Sequence, residues 1–170
     1  MQIPSLVTSR LRLLPPDLGS EELYRRFYTD ATASKSYGGP LTPGGAWNRL
    51  ASDVGAWHLQ GFGVWVIQEM EGASLIGTCG FWQGLGWPRE LTWWLVPEAR
   101  GHGLAKEASL AAITCAYERW KWERVETYMQ DENQEARMLV LRLGGAKIGR
   151  QQFPDGIERD VFHLPRTTAA

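Results

Sequence analysis

The stretch with the clearest chemical potential is a short glycine-containing loop between a strand-like and a helix-like segment. An apolar run begins at Glu90 and ends at Val96, Gly101 and Gly103 follow, and a helical pattern starts at Leu104. The first turn of a helix leaves backbone N–H groups without partners, and the helix dipole adds partial positive charge there. Glycines carry no Cβ, so an anion can approach their backbone closely. This junction is therefore expected to bind phosphate groups.

Two cationic side chains, Arg100 and Lys106, flank the loop and could add a full positive charge at a phosphate. The pattern is not a P-loop, because no Gly-Lys-Ser/Thr follows. It is not a dinucleotide-binding fingerprint, because Lys106 stands where the third glycine should be. A Gly-x-Gly loop before a helix is often only a turn, so this feature alone leaves a structural role and a pyrophosphate site both open.

The order of local patterns predicts an α/β fold. Aromatic and β-branched runs separated by turn residues indicate an antiparallel meander, and apolar residues at helical spacing indicate helices around it. Together they predict a mixed, mostly antiparallel sheet of about seven strands flanked by helices. Strands are expected at 10–14, 62–68, 75–82, 90–96, 124–130, 147–153 and 159–164; helices at 20–28, 46–59, 104–120 and 133–143; and a mobile loop at 36–45.

Length and composition indicate one ordinary globular domain. The chain has 170 residues and a net charge of −1, with no basic field of the kind that holds nucleic acid or an anionic membrane. No apolar run reaches the roughly 18 to 20 residues needed to cross a bilayer. The start of the chain lacks a secretory signal pattern, and Cys79 and Cys115 form neither a metal-ligand spacing nor a disulfide framework. We therefore expect one cytoplasmic domain over 1–170 with no bound metal.

The nine tryptophans are unusual for this length, and they have two interpretations. They can build a tryptophan-rich core, or some of them can line a pocket for an apolar or flat substrate, because tryptophan supplies rigid amphipathic surface.

Several segments together resemble the GNAT superfamily of acyl-CoA N-acyltransferases. The loop Arg100-Gly-His-Gly103-Leu-Ala105 is similar to the family signature Arg/Gln-x-x-Gly-x-Gly/Ala. Three further segments resemble the branch that includes the ribosomal-protein N-terminal acetyltransferases: Thr8 to Leu13, Glu90 to Leu95, and Asn133 to Ala136 with Gly144. The resemblance covers about 7–164 with all segments in order. A generic phosphate-binding α/β protein would leave that order unexplained.

The resemblance implies a cleft where one strand splays from its neighbour and holds acyl-CoA. It implies that the backbone of Leu95 and Val96 hydrogen-bonds the pantetheine arm. It also implies that Asn133 lies near this arm and the thiol, although Asn133 is equally suited to cap the last helix. The residues implied to wrap the pyrophosphate are Arg100, Gly101, His102, Gly103, Leu104 and Ala105.

The implied reaction moves an acetyl group from acetyl-CoA to a primary amine, either a protein N-terminus or a small molecule, by direct attack in a ternary complex. A backbone N–H at Leu95 is the implied oxyanion donor. The resemblance makes Glu90 the candidate base or proton relay, because Glu90 matches the family position and lies on the same strand. A carboxylate at the mouth of an apolar cleft has a raised pKa, which suits that role. Glu90 can equally be a solvated charge at the start of a strand. The other candidates for the base are His58 and water.

Two departures from the family pattern keep an alternative open. Val140 stands where many relatives carry a tyrosine that protonates the leaving thiolate, and Gly145 replaces a usual aromatic residue, which is expected to loosen the local packing. The general acid is therefore unassigned, and a non-catalytic acyl-CoA-binding module is the alternative function. The acceptor would be selected by 20–59 and 153–157, and homodimers are common in the family. Candidate lining residues are Tyr28, Tyr37, Trp57, Trp82 and Trp93.

Overall fold

The computed structural model describes residues 2–167, in which eight strands and four α-helices form two adjoining sheets and their covering layers. The strands are β1 (Leu6–Val7), β2 (Leu11–Leu14), β3 (Val64–Glu69), β4 (Leu75–Trp82), β5 (Glu90–Leu95), β6 (Val125–Met129), β7 (Ala146–Gln152) and β8 (Glu158–Leu164). The helices are α1 (Glu21–Tyr28), α2 (Pro43–Gln60), α3 (Leu104–Thr114), which a π-helical turn (Cys115–Arg119) extends, and α4 (Gln134–Arg142).

The strands divide into a five-stranded sheet, in the order β1-β2-β3-β4-β5, and a three-stranded sheet, in the order β6-β8-β7. Every registered pair within them is antiparallel. The predicted α/β class and the meander are confirmed. The strands form two sheets rather than one, because β5 and β6 adjoin without sharing a backbone ladder in the described part of the chain.

Helices cover both faces of the five-stranded sheet. Cys79 and Trp93 face each other across β4 and β5, and the Cys79 thiol lies 3.7 Å from the Ser109 hydroxyl of α3. The next register position places Trp94 on the opposite face, where its ring stacks on Phe27 of α1 at 3.9 Å. Since side chains alternate between the faces of a strand, α3 and α1 lie on opposite sides of β5.

Several tryptophans build the core, as the first of the two interpretations predicts. Trp57, Trp65 and Trp94 are buried, and the Trp65 ring stacks on Trp120 at 5.7 Å with the planes 4° apart. The indole N–H of Trp57 donates to the Val64 carbonyl at 2.8 Å, which satisfies a polar group that burial would otherwise leave unpaired. Trp57 is therefore a core residue, and its predicted place in a pocket lining is wrong.

Backbone hydrogen bonds fold the segment 36–45, predicted as a mobile loop, back onto Ser34. The N–H groups of Tyr37 and Gly39 both donate to the Ser34 carbonyl, at 2.9 and 3.1 Å. A Cβ at Gly39 would lie 1.8 Å from the Ser34 hydroxyl oxygen, so only glycine fits this close approach. Helix α2 starts at Pro43, earlier than expected, because Thr42 caps it and proline suits the first helical position.

None of the helices within residues 2–167 has the length and apolar character needed to cross a membrane.

Candidate active site

The candidate site is the space between the facing edges of β5 and β6, which share no backbone ladder in the described residues and are bridged at Leu91 by the Thr127 hydroxyl. We call this space the gap. Val96 N–H donates to the Ile76 carbonyl at 2.8 Å, so the even-numbered residues of β5 bond to β4. Antiparallel pairing alternates, so the backbone groups of Leu91, Trp93 and Leu95 point away from β4. The Thr127 hydroxyl of β6 donates to the Leu91 carbonyl at 2.8 Å, which confirms that this edge faces β6.

The three gap-facing carbonyls of β5 accept hydrogen bonds from three different side chains. Thr127 binds the Leu91 carbonyl, the Tyr37 hydroxyl donates to the Trp93 carbonyl, and Arg100 Nε donates to the Leu95 carbonyl at 3.1 Å. Along the strand, the Leu95 N–H lies between the Trp93 carbonyl and the Leu95 carbonyl and faces the same gap. This strand edge therefore presents a backbone donor to whatever enters the gap.

Val96 differs from Leu95 in this respect. Its N–H belongs to the β4–β5 pairing, and its carbonyl accepts the Ala99 N–H at 3.0 Å. Of the two residues predicted to bond the pantetheine through their backbone, only Leu95 has an N–H turned to the gap. Val96 therefore offers no free N–H to the gap, and its predicted backbone bond to the pantetheine stays a prediction.

The loop between β5 and α3 has the backbone shape that its glycines predict. Gly101 and Gly103 adopt φ values of 82° and 75°, in the left-handed region that favours glycine. A Cβ at Gly101 would meet nothing within 4 Å, and His102 is exposed, so the loop is open on its outer side. Leu104 is buried and anchors the first turn of α3, while Ala105 is partly buried behind it. This arrangement suits the binding of an anion at the helix start.

Arg100 braces the site rather than standing free beside the loop. In addition to its bond to Leu95, its Nη2 donates to the Ala33 carbonyl at 3.1 Å, which ties the end of β5 to the segment after α1. A second arginine, Arg10, contacts the loop directly, because its Nη1 donates to the His102 carbonyl at 3.0 Å. Its guanidinium also lies 3.6 Å from the place of a Cβ on Gly103. Arg10 is a candidate phosphate ligand that sequence reasoning missed.

Glu107, in the first turn of α3, holds Arg10 and the start of β2 in place. Its carboxylate accepts hydrogen bonds from the Thr8 hydroxyl at 2.6 Å, the Arg10 N–H at 2.9 Å and Arg10 Nε at 2.7 Å. Burial acts to raise the pKa of Glu107, but the bonds from Thr8 and Arg10 outweigh it and hold this pKa below its ordinary value. These contacts give a physical reason for the Thr8 to Leu13 pattern, the sequence signal that could have identified Arg10.

Glu90 begins β5, on the face that carries Trp94, and lies opposite Trp82 in the register. Its carboxyl group has no hydrogen-bond partner among residues 2–167, although it keeps some contact with solvent. Burial raises the pKa of Glu90 to about 8, and nearby Arg159 partly opposes this. The predicted raised pKa is confirmed. An unpaired carboxyl that titrates near neutral pH can accept a proton from an amine.

An aromatic wall stands beside Glu90, formed by Trp87, Tyr128 and Phe153. The Tyr128 and Phe153 ring centroids are 4.3 Å apart, and the Tyr128 hydroxyl donates to the Pro88 carbonyl at 2.9 Å. The guanidinium of Arg159 lies 5.4 Å from the Trp87 ring and pairs with Asp155 at 2.7 Å. The wall joins the β4–β5 connection to the β7–β8 hairpin, one of the two segments predicted to select the acceptor.

The remaining predicted residues fall in different places. The Asn133 side chain accepts the Ala136 N–H at 3.2 Å, so it caps α4 as the alternative interpretation proposes. His58 is exposed in the last turn of α2. Tyr28 is buried against Trp94, and Trp82 packs on Trp87 of the aromatic wall.

Val140 and Gly145 form a matched pair in the core. Val140 is fully buried, and a Cβ on Gly145 would lie only 2.5 Å from its Cγ1 atom. The expectation that Gly145 loosens the packing is wrong, because glycine is what allows the chain to pass this close to Val140.

A groove of about 830 Å³ lies on the other side of the loop. Its walls come from α1, the end of β3, the start of β4 and the loop residues His102 and Leu104. Arg10 lines it as well, so the groove shares Arg10, His102 and Leu104 with the candidate phosphate site, although no residue of β5, β6 or α4 lines it.

Comparisons with known proteins identify the family and the fold. The sequence profile of the family described as "Acetyltransferase (GNAT) domain" matches residues 10–146. No match was found among curated protein sequences. Among solved structures, an acetyltransferase from Agrobacterium tumefaciens strain C58 is 29% identical and superposes with a TM-score of 0.86, the alignment covering 96% of this chain and 95% of the other.

Two less similar structures share the fold. A GNAT-family acetyltransferase from Bacillus anthracis is 17% identical, with a TM-score of 0.79 and coverage of 95% of this chain and 98% of the other. RimL, a ribosomal L7/L12 α-N-protein acetyltransferase in complex with coenzyme A, is 12% identical, with a TM-score of 0.75 and coverage of 94% and 97%. The profile match extends over most of the chain, and the protein therefore belongs to the GNAT acetyltransferase family.

Proposed function

We propose that the chain, as a single domain over residues 1–170, transfers an acetyl group from acetyl-CoA to a primary amine. The acceptor is a protein N-terminus or a small-molecule amine. The observation that carries this proposal is the gap between β5 and β6, where the Leu95 N–H faces inward next to a glycine loop at the start of α3. An acyl-CoA thioester needs both features, a backbone donor for its carbonyl oxygen and a loop that binds its diphosphate.

The cofactor would lie with its pyrophosphate on the loop from Arg100 to Ala105 and its pantetheine arm in the gap. Loop N–H groups and the α3 dipole favour the diphosphate. Arg10, although paired with Glu107, places its Nη1 and Nη2 groups at the same loop, so it can donate hydrogen bonds to the diphosphate. Asn133 keeps its amide N–H₂ for the pantetheine arm while its oxygen caps α4.

Glu90 would remove the proton as the amine attacks. Its pKa of about 8 is close to the value of about 8 for a protein α-amino group, so proton transfer between them is nearly balanced. The amine nitrogen forms a bond to the thioester carbon, and the carbonyl oxygen becomes an oxyanion that the Leu95 N–H stabilises. The C–S bond then breaks, coenzyme A leaves as the thiol after taking a proton from solvent, and Glu90 keeps the amine proton.

The aromatic wall supports an acceptor that places a flat or apolar group beside its amine. Trp87, Tyr128 and Phe153 stand next to Glu90 and belong to a small hydrophobic cluster apart from the main core. The alternative function, a non-catalytic acyl-CoA-binding module, is favoured by one observation. Val140 is buried in the core, so α4 supplies no phenol to the leaving group at this position.

Thiol release in the presence of acetyl-CoA and a panel of amines and N-terminal peptides separates the two functions. The proposed transferase releases thiol only when an amine is present, and mass spectrometry finds the acetylated amine. A binding module raises its melting temperature with acetyl-CoA but releases no thiol with any amine. A protein whose melting temperature does not respond to saturating acetyl-CoA would contradict both.

A further inference from the structure

The hydroxyl of Tyr37 occupies the gap-facing edge of β5. It donates to the Trp93 carbonyl, while Arg100 Nε binds the Leu95 carbonyl one position further along this edge. Residues that face the same side of a strand repeat at about 7 Å. The Tyr37 hydroxyl therefore lies within one such repeat of the Leu95 N–H, the donor assigned to the oxyanion.

The Tyr37 ring is held in this position by rigid contacts. Its centroid lies 5.6 Å from the Phe27 ring in an edge-to-face arrangement, and Phe27 in turn stacks on Trp94 of β5. The backbone N–H of Tyr37 donates to the Ser34 carbonyl at 2.9 Å. A donor fixed by packing costs little reorganisation when charge develops beside it.

Tyr37 is suited to donate a hydrogen bond without losing its proton. Burial raises the pKa of the Tyr37 hydroxyl well above its ordinary value, and nearby Arg100 only partly opposes this. The phenol thus stays neutral throughout the pH range in which an amine acceptor reacts. This differs from a general acid, which must give up its proton in each cycle.

Resting on the proposed function, we propose that the Tyr37 hydroxyl is the second donor, beside the Leu95 N–H, to the oxyanion formed when the amine attacks the thioester. In the structure this hydroxyl donates to the Trp93 carbonyl. When an amide N–H of the pantetheine binds that carbonyl, the hydroxyl turns to the acetyl oxygen. No covalent bond of Tyr37 changes, and Glu90 still receives the amine proton.

Tyr37→Phe tests the proposal, with Tyr117→Phe as the matched control. The Tyr117 hydroxyl also donates to a backbone carbonyl, that of Leu164 at 2.5 Å, and it lies in the π-helical turn behind α3. Removing one oxyanion donor lowers kcat by about 10² to 10³-fold. We expect a fall of this size in Tyr37→Phe, uniform from about pH 6 to pH 10, with the KM for acetyl-CoA within about threefold of wild type. Tyr117→Phe should lose stability and keep its kcat.

Three results would overturn the assignment of Tyr37. A kcat in Tyr37→Phe within about threefold of wild type would remove its catalytic role. A loss confined to one limb of the pH profile would make it a proton-transfer group. A raised KM and a lowered melting temperature with unchanged kcat would make it a structural tether. In each case the wild-type enzyme remains active, so only Tyr37 is refuted. A wild type that acetylates no amine refutes the proposed function, and the role of Tyr37 with it.

Discussion

Replacing Glu90 with glutamine should remove a titration from the pH profile of acetyl transfer. With a pKa of about 8, roughly one Glu90 side chain in ten is ionised at pH 7 and nine in ten at pH 9. Since only the ionised form accepts a proton, kcat for wild type should rise about tenfold over that interval at saturating amine. Positioned general bases contribute about 10² to 10⁴-fold, or roughly 3 to 5 kcal/mol of barrier. Glu90→Gln should lose that factor at pH 9.

The assay follows free thiol from acetyl-CoA between pH 6 and pH 10 for wild type, Glu90→Gln and Glu123→Gln. Glu123 is an exposed carboxylate outside the site, so its variant controls for the loss of one negative charge. Any inflection that remains in the pH profile of Glu90→Gln comes from titration of the amine acceptor. The difference between the pH profiles of wild type and Glu90→Gln comes from Glu90. A Glu90→Gln enzyme with the wild-type inflection and a kcat within about threefold would refute the assignment and leave His58 or water as the base.

Three further outcomes follow from the same contacts. Because the folded-state pKa of Glu90 lies above its unfolded value, the stability from its protonated form is complete below about pH 4.5 and is lost as the pH rises to about 8. The unfolding free energy of Glu90→Gln should therefore rise by about 2 kcal/mol relative to wild type between pH 5 and pH 9. This is roughly half the value that the full pKa difference would give, because the carboxyl group keeps contact with solvent. Unfolding in urea that shows the same pH dependence for both proteins would contradict this. Arg10→Ala should raise the KM for acetyl-CoA about tenfold, with a smaller effect at high salt, and an unchanged KM would exclude Arg10 as a phosphate ligand. Gly145→Ala should lower the unfolding free energy by about 1 to 3 kcal/mol, because its Cβ would meet Val140 Cγ1 at 2.5 Å, and a neutral effect would show that Val140 can move.

Most of the secondary structure could be predicted because its signals are local. Strand β4 has the predicted bounds, and β5, α1 and α4 agree within one residue at each end, since period and turn residues mark these elements directly. The loop from Arg100 to Ala105 was recognised for the same reason. Its glycines do adopt the left-handed conformation that makes them necessary.

The parts that could not be predicted depend on contacts between distant residues. Arg10 reaches the loop through Glu107, 97 positions away in the sequence, and Tyr37 reaches Trp93 across 56 positions. The glycines and prolines around Tyr37 indicated mobility, yet Gly39 is there to let the chain pass close to Ser34. Local composition does not show whether a glycine makes the chain mobile or allows a close approach between two segments.

The N–H of Leu95 is the point at which the proposed chemistry can be tested most directly. Proline at this position removes the N–H but breaks no bond to β4, because that N–H faces the gap, whereas Leu95→Ala removes the side chain and keeps the N–H. The activity that Leu95→Pro loses beyond Leu95→Ala therefore reports on the donor, provided that the proline ring leaves cofactor binding intact. We expect an additional fall in kcat of about 10² to 10³-fold, with acetyl-CoA still raising the melting temperature of both variants. Equal kcat values in two folded, cofactor-binding variants would contradict acetyl transfer at this edge of β5.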